Sequence, residues 1–78
     1  KLVVDGAGFI TGDSIIEIDG TPVPKLKYPA DFRLPNGQIT RLVTKGDVSG
    51  LIPIGVEVSI VVFTPGTGKR SEPFTFTR

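Results

Sequence analysis

The residues of this chain with the clearest potential for chemistry are a group of cations in its middle. Residues 25–45 hold five Lys and Arg against the single carboxylate of Asp31, a net charge of +4. Such a stripe favours contact with a polyanion or an acidic neighbouring module, and a tyrosine beside it can stack on a sugar ring. The candidate ligand-binding residues are Lys25, Lys27, Tyr28, Arg33 and Arg41.

The basic segment also has an interpretation that needs no ligand. Lys and Arg on an exposed sheet face protect strand edges against aggregation. Nucleic-acid binding is not expected, because Tyr28 and Phe32 are the only aromatic residues near the stripe and the sequence pI is about 8.3. Glycan or polyanion binding and simple edge protection therefore remain as alternatives for residues 25–45.

Acidic residues are concentrated at the start of the chain. With Lys1, they give residues 1–20 a net charge of −3. Calcium binds carboxylates, but no loop shows the alternating ligand spacing of an EF-hand, and glycoside hydrolysis needs a cleft that so small a domain has little room to form. We predict no metal site and no catalytic residue, and Asp13 and Asp19 are interpreted as turn residues. The four acids are Asp5, Asp13, Glu17 and Asp19.

Two glycine-rich stretches resemble nucleotide-binding loops only superficially. In the first, residues 6–11, a dinucleotide fingerprint would need a third Gly where Thr11 stands, and we expect Phe9 and Ile10 to open a strand instead of a helix. In the second, residues 66–71, a phosphate loop would need Gly at Phe63 and Ser or Thr at Arg70. We predict no nucleotide cofactor, and the second stretch is interpreted as a hairpin with solvated cations.

Several residue types are missing from the sequence. It has no Cys, His, Met or Trp, which removes disulfides, thiolate nucleophiles, the usual ligands of zinc, copper or haem, and histidine acid–base catalysis. We therefore expect no enzyme and no cofactor. The longest apolar run, residues 60–63, is far shorter than the roughly 18 residues of a membrane-spanning helix, so no membrane insertion is expected.

The elements that would position any site are short strands. Ten Gly and seven Pro among 78 residues leave no window for a stable helix of three turns. In Ser14–Asp19 the side chains of Ile16 and Ile18 share one face, and Asp19-Gly20 supplies a turn, just after which Pro22 and Pro24 discourage regular pairing. We predict an all-β chain of about six to seven short strands.

A second strand is predicted at residues 56–63, because its apolar residues alternate with polar ones. The core face of this strand is expected to hold Val56, Val58, Ile60 and Val62. Its far end is expected to be buried on both faces, because Val61 and Phe63 on the other face are apolar as well. We expect Asn36-Gly37 to join residues 31–34 and 38–43 as a hairpin. The last strand, residues 73–78, alternates Phe with Thr, so Phe74 and Phe76 are expected in the core.

Several short segments, taken in order, form a recognisable series along the chain. The amino-terminal segment is Gly6-Ala7-Gly8-Phe9-Ile10-Thr11-Gly12-Asp13-Ser14, followed by Asp19-Gly20. The carboxyl-terminal segments are Gly55 before the strand at 56–63, then Thr64-Pro65-Gly66-Thr67-Gly68, Ser71 and Phe74-Thr75-Phe76-Thr77. In this order they resemble the IPT/TIG domains, immunoglobulin-like modules of plexins, transcription factors and bacterial exported proteins. The resemblance covers residues 3–20 and 50–78, whereas residues 25–45 fit the family poorly.

The resemblance implies a fold, a role and a location. Residues 1–78 would form one immunoglobulin-like β-sandwich without catalytic activity, excised from a longer exported or cell-surface bacterial protein and contacting neighbouring domains of the same polypeptide. Family members usually have a further strand before the Gly-x-Gly-Phe stretch, so the first strand is expected either to be trimmed or to be supplied by a neighbour, and residues 1–4 resemble a strand entered in midstream. The alternatives are carbohydrate or polyanion binding through residues 25–45 and an accessory role beside a carbohydrate-active enzyme.

Overall fold

The computed structural model of the chain describes residues 2–23 and 25–78. Two residues discussed above lie outside the described residues. They are Lys1, counted in the charge of the acidic segment and in the first strand, and Pro24, expected to discourage regular pairing. No α-helix occurs in the described ranges, where two 3₁₀ turns, Ala30–Phe32 and Ser49–Leu51, join a set of short strands. The strands are β1 (Val3–Ile10), β2 (Ile15–Ile18), β3 (Thr21–Pro22), β4 (Leu26–Lys27), β5 (Gln38–Thr44), β6 (Glu57–Thr64), β7 (Lys69–Arg70) and β8 (Phe74–Thr77).

The strands form two antiparallel sheets, which confirms the all-β prediction. Sheet A has the order β1-β5-β4, and sheet B has the order β3-β2-β6, with both β7 and β8 paired to the other edge of β6. The chain crosses between the sheets after β1, after β3 and after β5. None of the described helices is long and apolar enough to span a membrane.

One hydrophobic core lies between the two sheets. Ile16 and Ile18 of β2 are fully buried, as their alternation predicts, and Val58 and Ile60 of β6 join them. Val61 and Phe63, on the other face of β6, are only half-buried. The core comprises Leu2, Val4, Phe9, Ile16, Ile18, Val23, Ile39, Leu42, Val48, Ile52, Val58, Ile60 and Val62.

Three predicted core residues are not buried. Strand β6 begins at Glu57, so Val56 precedes it and is 49% exposed. Phe74 and Phe76 lie opposite Ile60 and Val58 and therefore share the core face of sheet B, but they are 43% and 38% exposed. The prediction of their burial is wrong because β8 is an edge strand that sheet A does not cover.

The predicted hairpin at residues 31–43 forms only in part. Its second arm is β5, and its turn is present, with Gly37 at a φ of 86° and the Asn36 side chain accepting a bond of 2.9 Å from the Gln38 amide. The first arm is a 3₁₀ turn instead of a strand, joined to β5 by the single bridge between Arg33 and Ile39.

The Gly-x-Gly-Phe stretch lies inside a strand. Pairing between β1 and β5 shifts register between Asp5 and Phe9, so that Gly6-Ala7-Gly8 bulges opposite Thr40. The Phe9 ring folds back over Gly6, where a Cβ would lie 2.6 Å from its Cζ. Phe9 and Ile10 thus end β1, contrary to the expectation that they open a strand, and Gly6 makes room for the buried ring.

Candidate functional site

The predicted ligand-binding residues lie in several environments. Lys25, Lys27 and Arg33 are exposed, and among the described residues none of them is in an ion pair. Arg41 is already engaged: its Nε and Nη2 donate to Asp5 at 2.6 and 3.0 Å, and its guanidinium lies 4.2 Å from the Phe32 ring centre. Because its charge and planar face are both occupied, Arg41 first of all joins β1, β5 and the 3₁₀ turn before β5.

Tyr28 is partly buried against the core. Its hydroxyl donates a hydrogen bond of 2.8 Å to the backbone carbonyl of Ser14, and burial raises the pKa of this phenol above 10.0, with a smaller contribution from the charge of Asp13. Tyr28 therefore holds the segment before the first 3₁₀ turn against the β1–β2 turn. Its role as a stacking surface for a sugar stays a prediction.

The four early carboxylates are dispersed, each with its own structural partner. Asp5 pairs with Arg41, whose hydrogen bond lowers the pKa of the carboxyl group below 3.8. Glu17 pairs with Arg70, while Asp19 accepts from the Ser59 amide at 2.8 Å. Across residues 2–23 and 25–78 no group of three acidic, His or Cys side chains could hold a metal ion.

Asp13, which follows the first glycine-rich stretch, contacts the second one in the fold. The Asp13 carboxylate accepts hydrogen bonds of 2.9 and 3.2 Å from the Gly66 amide. A side chain at residue 66 would collide with that carboxylate, so the turn after β6 needs glycine there. The early Gly-Asp-Ser segment and the later Pro-Gly segment thus form one structural contact between the ends of β1 and β6.

A buried polar network reinforces this contact. The Ser14 hydroxyl contacts the Thr64 hydroxyl at 2.8 Å and accepts a bond of 2.8 Å from the Ile10 amide. Ser14 and Thr64 are both buried, and Ile10 ends a strand of sheet A while Thr64 ends a strand of sheet B. The network therefore joins the two sheets at one end of the molecule.

One side of the sandwich remains open, between β1 of sheet A and the β7–β8 edge of sheet B. Strand β1 is one of the two edge strands of sheet A. The Leu2 carbonyl accepts a bond of 3.0 Å from the Thr44 amide, and alternation along an antiparallel pair directs the next such groups, those of Val4, toward β5. The amides and carbonyls of Val3 and Asp5 consequently face away from β5, along the open side.

The facing edge is a single strand path with a bulge. Residues 69–70 and 74–77 both pair with β6, but the register shifts by one residue between them. In the gap, Ser71 donates its amide to the Val62 carbonyl at 2.8 Å, and its hydroxyl accepts from the Val62 amide at 2.9 Å. Ser71 therefore supplies both partners of Val62 where Pro73 follows, which explains a serine at this position.

Two cavities occupy the open side. The upper one, of 320 Å³, lies between the β1 bulge at Gly8 and the inner face of sheet B, where Lys69 and Ser71 line it. The lower one, of 140 Å³, lies between Leu2 and Phe76. Both cavities belong to this open side, because β1 runs beside the β7–β8 edge in the opposite direction.

The lower cavity is an apolar groove with charged ends. Val48 and Ile52 form its floor, and Asp47 and Arg78 lie at its rim. The Ser49 amide donates to the Asp47 carboxylate at 2.9 Å, and this hydrogen bond, with a smaller contribution from the charge of Arg78, lowers the pKa of Asp47 below 3.8. Asp47 thus stays ionised at neutral pH and fixes the second 3₁₀ turn.

The open side is the functional candidate that the residue patterns above do not point to. The sequence feature that could have located the open side is the alternation of Phe74 and Phe76. Aromatic side chains that alternate along an edge strand need another apolar surface to bury them. No family model, curated protein or solved structure compared with the chain matches it.

Proposed function

We propose that the chain is a non-catalytic, immunoglobulin-like interaction module of the IPT/TIG type, belonging to a larger exported or cell-surface bacterial protein. The observation that carries the proposal is the strand order. An immunoglobulin sandwich has one sheet in the order A-B-E-D and another that contains G-F-C, extended by C′. Sheet A, β1-β5-β4, corresponds to B-E-D, and sheet B, β3-β2-β6 with β7 and β8, corresponds to C′-C-F-G.

The correspondence leaves strand A without an equivalent among the described residues. Strand A would pair with β1, along the edge where Val3 is 45% exposed. It would also cover Phe74 and Phe76, the two aromatic residues left half-exposed on β8. An interaction role follows from this geometry, because the sheet edge and apolar face uncovered here are the surfaces that protein partners use.

A second candidate function is supported by three cations that form no ion pair within residues 2–23 and 25–78. Lys25 directly precedes β4 and Lys27 lies in it, and β4 is the other edge of sheet A. Arg33 is exposed after the first 3₁₀ turn. These three charges are available to an acidic polysaccharide, whereas Arg41 and Tyr28 are engaged within the fold. Such binding, alone or as an accessory to a carbohydrate-active enzyme, is the alternative proposal.

A titration distinguishes the two proposals. The ¹⁵N-labelled chain is titrated with a neutral polysaccharide and with an acidic one while its backbone amide shifts are followed. The interaction-module proposal predicts no saturable shift in residues 25–45. Saturable shifts there, lost in a Lys25→Gln, Lys27→Gln double variant but kept in a Lys69→Gln control, would replace the proposal with glycan binding.

Hydrogen exchange tests the interaction role itself. In the longer protein, the amides of Val3 and Asp5 should exchange more slowly than in the isolated chain, because a neighbour covers the open side. The amide of Lys27, on the opposite edge, serves as the internal control and should exchange equally in both. Equal exchange throughout the two proteins would contradict the proposal.

A further inference from the structure

The open side has two features that a single extended peptide would satisfy together. The first is a run of main-chain groups on β1 that face away from β5, at Val3 and Asp5. The second is the exposed apolar surface of Phe74 and Phe76 on the opposite edge. A strand placed beside β1 lies about 4.8 Å from it. It would then lie on the open side, between the main-chain groups of β1 and the two Phe side chains.

We propose that the open side accepts one extended peptide strand, which pairs antiparallel with β1 and carries an apolar residue toward Phe76 and a carboxylate toward Lys69. This inference rests on the proposed interaction role and names the chemistry of the partner. Main-chain pairing provides affinity in such strand addition, and pockets for alternate side chains provide specificity.

The apolar position of the partner is set by the lower cavity. The side chains of Leu2 and Val4 point into the core, so the inward side chains of an added strand point the same way, because side chains on paired strands share a face. Beside Leu2 this direction leads into the 140 Å³ groove against Phe76. One branched aliphatic side chain fits there and covers the half-exposed Phe ring.

The carboxylate is set by the upper cavity. Lys69 pairs with the buried Thr64, so its side chain lies on the inner side of sheet B, where it lines the 320 Å³ cavity. Arg70, its neighbour, is paired with Glu17, while no ion pair of Lys69 is present among the described residues. The upper cavity therefore presents one uncompensated positive charge to the partner.

The bulge in β1 limits how far the added strand can pair. Residues 6–8 depart from regular pairing, and bulges at sheet edges weaken further strand addition. Regular hydrogen bonds are thus confined to Val3 and Asp5, and the upper half of the peptide is held through its carboxylate. Antiparallel pairing, which is slightly more stable than parallel, places the carboxylate in the amino-terminal half of the peptide and the aliphatic residue in its carboxyl-terminal half.

The test uses a blocked synthetic peptide in which Val alternates with Thr, with one Glu in the amino-terminal half facing Lys69. Binding is followed by amide shifts of the ¹⁵N-labelled chain and by nuclear Overhauser contacts between the peptide and Phe76. We expect saturable shifts at Val3 and Asp5 and none at Lys27. A peptide with Pro at its centre, which cannot complete the ladder, should bind at least about tenfold more weakly.

Two variants of the chain separate pairing from charge. Val3→Pro removes an amide that faces the open side but no bond to β5, and it should weaken binding about tenfold. Lys69→Glu should weaken the Glu peptide about fivefold and strengthen a matched Lys peptide. The second variant keeps the proposal testable if Val3→Pro fails to fold.

Three outcomes would overturn the proposal: no saturable binding, equal affinity for the Pro-containing control, or self-association of the chain through β1 in place of peptide binding. Slower exchange at other surfaces of the longer protein, combined with a failed peptide titration, would leave the interaction role standing and remove only the strand partner. Amide exchange that is equal in the longer protein and in the isolated chain at every residue would contradict the interaction role itself, and with it the strand partner.

Discussion

At the scale of single residues, several of the polar side chains that the sequence marks as candidate functional residues make hydrogen bonds that stabilise the fold. Arg41 and Tyr28, which the sequence predicts as ligand-binding residues, are bonded to Asp5 and to the Ser14 carbonyl. Asp13 caps the Gly66 amide. These bonds form because a small all-β chain has many turns whose main-chain groups need partners, and nearby polar side chains supply them.

Ser14 provides the sharpest test of these structural roles. Ser14→Ala should lower the free energy of unfolding by about 2 kcal/mol, because the Ile10 amide and the Thr64 hydroxyl lose a buried partner. Chemical denaturation with urea measures the change.

Thr11→Val is the matched control for Ser14→Ala. Within residues 2–23 and 25–78, the Thr11 hydroxyl is a buried oxygen without a hydrogen-bond partner, so replacing it with a methyl group should cause no loss of stability. A Ser14→Ala variant as stable as the starting chain would contradict the inferred network.

At the scale of elements, the pair between Asp5 and Arg41 makes the β1–β5 contact pH-dependent. The Arg41 hydrogen bond lowers the folded-state pKa of Asp5 below its ordinary value of 3.8. A lowered carboxyl pKa stabilises the folded state above the unfolded-state value, and this contribution is lost as pH falls through the folded-state value. Carbon-detected NMR titration should therefore show Asp5 ionising below pH 3.8 and returning toward 3.8 in Arg41→Gln.

Arg33→Gln is the control for this titration, because Arg33 is an exposed cation without an ion pair among the described residues. It should leave the titration midpoint of Asp5 unchanged. An Asp5 midpoint that is identical in Arg41→Gln and in the starting chain would show that the pair does not form in solution.

At the scale of the whole molecule, sheet B depends on its edge strand although that strand is not buried. Strand β8 pairs with β6 from Glu57 to Ile60, beside two side chains that are almost completely buried, Val58 and Ile60. Ending the chain after Glu72 should abolish cooperative unfolding, because β6 loses these ladder bonds and the cover over its core residues.

Circular dichroism during thermal unfolding measures this loss. The control is a chain ending after Thr77, which loses the hydrogen bond of 3.3 Å from the Gly55 amide to the Arg78 carbonyl and the charge of Arg78 near Asp47. It keeps the pairing of residues 74–77 with β6 and should unfold cooperatively. A chain ending after Glu72 that still unfolds in one sharp transition would show that β8 is dispensable, and the open side would then extend to β6.

The sequence itself determines the local elements. Alternation predicts Ile16 and Ile18 as core residues because side-chain direction in a strand has a period of two. The Asp19-Gly20 and Asn36-Gly37 turns are also predictable, because they need residues that accept a positive φ, and Asp19 and Gly20 have φ values of 49° and 82°.

Tertiary structure alone determines which edges are covered. The pattern of Phe74 and Phe76 specifies a face of β8, and the fold confirms that face, but burial depends on whether the opposite sheet extends that far. Local patterning carries no information on this, because the width of sheet A is set by long-range pairing between β1, β5 and β4. The open side, with its free main-chain groups and half-exposed aromatics, is therefore visible only once both sheets are assembled.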